Sequence, residues 1–92
     1  MEINIEILEK LTKRILEICK NRNWRLDPIS RGGYLHLEAS EFIESLRGKG
    51  KSDPAEEAAD VLIVWLSICA AHKVSMKSIF EYLELKLQYL ES

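Results

Sequence analysis

Ninety-two residues with a mass of 10.6 kDa make one small domain, residues 1–92, with no room for a second core. Thirteen basic side chains against fifteen acidic ones give a net charge of −2, which argues against nucleic acid as a partner, because phosphate backbones are held by basic faces. The two cysteines, Cys19 and Cys69, form no CxxC pair and no zinc-type spacing with histidine, and read as reduced core thiols.

Along residues 3–19, Ile5, Leu8, Leu11, Ile15 and Ile18 recur at intervals of three and four, which predicts an amphipathic first helix. Residues 21–33 have no period and contain Asn, Asp, Pro and Gly, so they read as a connecting loop with Trp24 as its one large apolar anchor. A second helix is expected over residues 34–47, followed by a tight linker at 48–53. Asp53 then supplies an N-cap, Pro54 the first helical position and Glu56 the capping-box position of a third helix reaching His72. Ser75 caps a fourth helix running to Leu90. No segment alternates with period two, so the expected fold class is all-α, a four-helix bundle. Glu2 and Glu6 are wrong for a signal peptide. The longest uncharged stretch, 61–71, falls short of the roughly 18 residues a membrane span needs. The expectation is a cytoplasmic protein with no membrane contact.

Helix three is apolar around its whole circumference, from Ala58 through Trp65 to Ala71. A helix of that kind is buried on most sides, which one small bundle does not achieve alone. A bundle completed by homodimerisation, as a dimer or a dimer of dimers, is therefore expected.

The chemistry lies in four acids. Glu38 and Glu41 are three apart on helix two, and Glu57 and Asp60 repeat that spacing on helix three, so each pair shares a face. Counted from an antiparallel turn, Glu41 lies seven residues before Gly48 and Asp60 seven after Asp53, about 10 Å from the tip in each case. Asp60 interrupts an apolar stretch, with no Lys or Arg nearby on its helix. Converging carboxylates without basic partners call for a divalent cation. An all-oxygen set without histidine selects Mg²⁺, with Mn²⁺ possible, over zinc or copper. Because Mg²⁺ keeps positions for water and substrate phosphates, the ligand expected is a polyphosphate. Against this stands the plainer reading of acids on a solvated helix face.

The segment Leu37-Glu38-Ala39-Ser40-Glu41-Phe42-Ile43-Glu44, followed after a short basic linker by Glu56-Glu57-Ala58-Ala59-Asp60-Val61-Leu62-Ile63, closely resembles the MazG-like nucleotide pyrophosphohydrolases of the all-α NTP pyrophosphatase superfamily. That family's pattern is EExxE, a variable gap, then ExxD. Leu37 stands where the family often has its first Glu. The resemblance implies Glu38, Glu41, Glu57 and Asp60 as metal ligands, and a reaction that hydrolyses a nucleoside triphosphate (NTP or dNTP) to monophosphate and pyrophosphate in nucleotide-pool housekeeping. It also makes Lys86 a phosphate contact, although the asparagine that often follows is missing from residues 87–92. Glu41 is the carboxylate assigned to position or deprotonate the attacking water. The alternative function is a non-catalytic helical interaction or regulatory module that keeps the fold.

Other residues have paired readings. Trp24 either stacks on a nucleobase or plugs the bundle edge. Glu44 is read as a salt-bridged or solvated residue ahead of an outer ligand. Arg47, Lys49 and Lys51 read as a solvated turn ahead of a phosphate attractor, and His36 and His72 as structural or exposed.

Overall fold

The computed structural model describes residues 4–48 and 52–92. These form four α-helices and no strand: α1 (Ile5–Asn21), α2 (Pro28–Leu46), α3 (Pro54–Ala71) and α4 (Met76–Glu91). Glu2, Ile3, Lys49, Gly50 and Lys51 lie outside the described residues, and with them the readings of the N-terminal start and of the basic linker.

Every helix starts on a side-chain oxygen that accepts from an otherwise unpaired backbone N–H. Asn4 accepts from Ile7 at 3.2 Å, Asp27 from Ser30 at 3.0 Å, Asp53 from Ala55 at 2.9 Å and Ser75 from Ser78 at 3.2 Å. The Asp27 cap overturns the expected loop: α2 begins at Pro28, not at residue 34. Asp27-Pro28 is the same cap-and-proline start as Asp53-Pro54, and fixed proline φ suits the first helical position. Gly32 and Gly33 weaken a helix by about 1 kcal/mol each, but packing of α2 on α3 carries them.

Two helices end in the same way. Asn23 (φ 55°) and Lys73 (φ 57°) adopt the left-handed conformation just past α1 and α3. Trp24 N–H then donates to Cys19 O at 3.0 Å and Val74 N–H to Cys69 O at 2.9 Å, each closing a Schellman motif. In the first case this hydrogen bond sets the backbone position of Trp24.

The helix α3 packs against α2 and α1, whereas α4 leaves α3 at 115° and meets α1 near its start. The core is compact and lies at that junction. Leu66, Cys69 and Met76 are buried, with Ile5, Leu8, Ile15, Trp65, Ile79 and Phe80 packed around them. The Met76 N–H donates to the Glu9 carboxylate at 3.2 Å, so α1 also caps α4.

Much apolar surface is left outside. Leu62 and Ile63 on α3 are exposed, as are Tyr82, Leu85, Tyr89 and Leu90 on α4. The accessible surface is 7140 Å², against roughly 5,500 Å² for a compact chain of this mass. No single helix among the described residues is long and apolar enough to cross a membrane.

Candidate functional site

The acids sit where α2 meets α3. Glu38, Glu41 and Glu57 each offer an oxygen, and the three oxygens lie within 4.8 Å of one another. Glu38 and Glu57 are half-buried and Glu41 is exposed. Asp60, expected in the same cluster, is outside this group of three. It lies close enough to Glu38 for its charge to act on that carboxyl, and it lines the neighbouring cavity.

The helix α2 ends at Leu46, one residue short of the expected 47, and α3 begins at Pro54. It is Glu57, one helical turn closer to the tip than Asp60, whose oxygen joins those of Glu38 and Glu41. The two flanking hollows follow the same antiparallel order: Glu41 and Glu57 share one of about 340 Å³, while Glu38 and Asp60 share one of about 660 Å³.

The electrostatics are those of carboxylates crowded together. Burial pushes the Glu38 carboxyl above its ordinary value of 4.5, and the charges of Glu41, Asp60 and Glu57 push it further. One oxygen of Glu38 and one of Glu57 are buried without a hydrogen-bond partner among the described residues. Ion pairs among those residues involve Glu6, Asp27, Glu44 and Glu81, never the four site acids. A buried, unpaired acceptor is costly, and a hard divalent cation would satisfy several at once. Oxygens around Mg²⁺ at about 2.1 Å are at most about 4.2 Å apart, so small side-chain rotations would bring this trio onto one ion.

Glu44 takes the salt-bridged role: its Oε1 accepts from Arg47 Nη1 at 3.1 Å. His36 is exposed. His72, also exposed, donates from Nε2 to the Leu26 carbonyl at 3.0 Å. Lys86 is exposed on α4 and does not line the larger cavity, whereas Trp24 does.

Two lining residues escaped the sequence reading. Arg31 is 5% exposed, and its guanidinium lies over the rings of Trp24 (5.4 Å) and Tyr34 (4.8 Å). Arg31 stands on the part of α2 assigned to a loop, and Tyr34 is the first residue of the expected helix. The overlooked signal was helical spacing: Arg31, Tyr34, Glu38 and Glu41 fall three, four and three apart, on one face.

No protein-family model matches this chain, and neither a curated protein nor a solved structure does.

Proposed function

We propose that this chain is a Mg²⁺-dependent nucleoside triphosphate pyrophosphohydrolase of the MazG-like kind. The observation that carries the reading is the trio Glu38, Glu41 and Glu57, with orphaned buried oxygens, at the edge of a cavity of about 660 Å³. Half-buried acids without basic partners among the described residues favour a cation over a merely solvated face. The adjoining cavity is large enough for a nucleotide.

Glu38, Glu41 and Glu57 would hold the ion, with the carboxylate of Asp60 close to Glu38. Bound Mg²⁺ supplies charge neutralisation for the phosphates and an acidified water. Exposed Glu41 accepts the proton of the attacking water. The bond from the α-phosphorus to the bridging oxygen breaks, and the products are monophosphate and pyrophosphate. Trp24 stacks on the base, and Lys86 reaches phosphate only in a site completed by a second subunit. Homodimerisation, or pairing of dimers, is supported by the exposed apolar side chains of α3 and α4 and by the excess accessible surface.

The test is pyrophosphate release from a panel of NTPs and dNTPs, with and without Mg²⁺. Glu41→Gln and Asp60→Asn are each expected to lower kcat/KM at least a hundredfold with folding intact. Inactivity across the panel overturns the enzyme reading, and full activity in both variants overturns the site. A second reading, a helical interaction module, is favoured by one observation: the apolar face of Tyr82, Leu85, Tyr89 and Leu90. It predicts association without turnover.

A further inference from the structure

We infer that Arg31 is the base-reading residue of the larger cavity and that the nucleotides it selects carry a ring carbonyl, as guanine and the pyrimidines do and adenine does not. This rests on the nucleotide reading of the site. Arg31 is 5% exposed, its Nε is buried without a hydrogen-bond partner, and its guanidinium makes no hydrogen bond or ion pair among the described residues. Guanidinium stays protonated in proteins, so this group cannot escape its burial by losing a proton. The guanidinium carbon lies over the rings of Trp24 and Tyr34, at 5.4 and 4.8 Å from their centroids. Those cation–π contacts are not hydrogen bonds, so N–H donors remain for whatever enters the cavity that Arg31 lines.

Position decides what enters. Arg31 and Glu38 are two helical turns apart on one face of α2, about 10 Å along the axis, and both line the same cavity. A nucleotide whose phosphates are held at the acids has its pentose between and its base at the Arg31 end. A second phosphate contact at Arg31 would leave that end of the cavity, walled by Trp24, Tyr34, Ile63 and Val64, without a ligand group to match it. A base carbonyl oxygen accepts from the guanidinium N–H groups. Arginine donating to two acceptors on one base edge, as on guanine O6 and N7, discriminates by about 1–3 kcal/mol.

The experiment compares GTP, UTP and ATP in two assays on the full chain with Mg²⁺: pyrophosphate release, and equilibrium binding of the uncleavable α,β-methylene analogues. In the wild type the carbonyl-bearing nucleotides are expected to exceed ATP by about tenfold or more in both. Arg31→Met is expected to bring that ratio within about threefold of unity, and Arg31→Lys to leave an intermediate ratio. A wild-type ratio near one overturns the proposal with no variant needed, even where both variants fail to fold. The proposal also falls where folded Arg31→Met weakens all three nucleotides and inorganic pyrophosphate by one common factor, which marks a phosphate contact. If no triphosphate is cleaved, the pyrophosphohydrolase reading fails by itself, and the analogue-binding ratio still decides the role of Arg31.

Discussion

The imidazole of His72, at the end of α3, donates from Nε2 to the carbonyl of Leu26 at 3.0 Å across 46 positions of sequence. Leu26 lies two residues beyond Trp24 and immediately before the Asp27 cap of α2. The bond therefore ties the segment that walls the cavity to the central helix. An exposed hydrogen bond of this kind contributes about 0.5 kcal/mol. His72→Ala should cost about that much stability, and in a Trp65→Phe background it should shift and quench Trp24 emission. Unchanged emission would mean that the Schellman turn at Asn23 alone positions the ring.

Glu38 should be more stable as its neutral isostere. In the absence of metal it faces Glu41, Asp60 and Glu57, and each like-charge neighbour costs a few tenths of a kcal/mol. Glu38→Gln is expected to raise the melting temperature of the metal-free chain by a few degrees, about 1 kcal/mol in all. The same change should abolish the rise that Mg²⁺ gives the wild type. Calorimetry with and without Mg²⁺ checks both halves.

The acidity of that carboxyl also fixes a pH dependence. The folded chain holds the Glu38 proton to a pH above 4.5, its ordinary value, whereas the unfolded chain releases it near there. Above 4.5 the unfolded state thus binds fewer protons, and metal-free stability falls with rising pH until the folded carboxyl has ionised. Mg²⁺ competes with that proton, so its stabilising effect should grow over the same interval. Denaturant midpoints between pH 4 and 8, with EDTA or Mg²⁺, test the sign; a metal-free midpoint that rises across the interval refutes it.

Lys73 holds a left-handed φ of 57°, a conformation that costs a residue with a Cβ about 1–2 kcal/mol. Glycine avoids that cost but loses more entropy on folding. Lys73→Gly should still gain roughly 0.5 kcal/mol, seen as a higher urea midpoint with an unchanged slope.

On the proposed pairing of subunits, Leu85→Glu combined with Tyr89→Glu should yield a monomer in sedimentation while the helical signal stays native, because both side chains are exposed on α4. An unchanged sedimentation coefficient would exclude this face from the subunit contact.

Four helices and their caps at Asp53 and Ser75 were legible from local chemistry, since capping and a 3.6-residue period depend on near neighbours alone. The start of α2 was not. Gly32 and Gly33 outweighed Asp27-Pro28 in a local reading, whereas packing against α3 decides the helix in the folded chain. The acids were legible as pairs, but which carboxylate oxygens converge depends on side-chain rotamers and on how α2 packs on α3, neither of which spacing counted from a turn reports, and Asp60 stands outside the trio. Arg31 was hidden for the first of these reasons: a residue assigned to a loop has no face.

The 115° departure of α4 has a mechanical meaning. Sixteen residues make a rod about 24 Å long, packed into the core near Met76, where Ile79, Phe80 and the Glu9 carboxylate hold it. Turning such a rod by about 10° at its root displaces its far end by about 4 Å. The placement of Tyr89 and Leu90 is therefore governed from a distance, by the fit of one methionine among its neighbours, and a change in volume at Met76 would be felt most strongly at the opposite end of the helix.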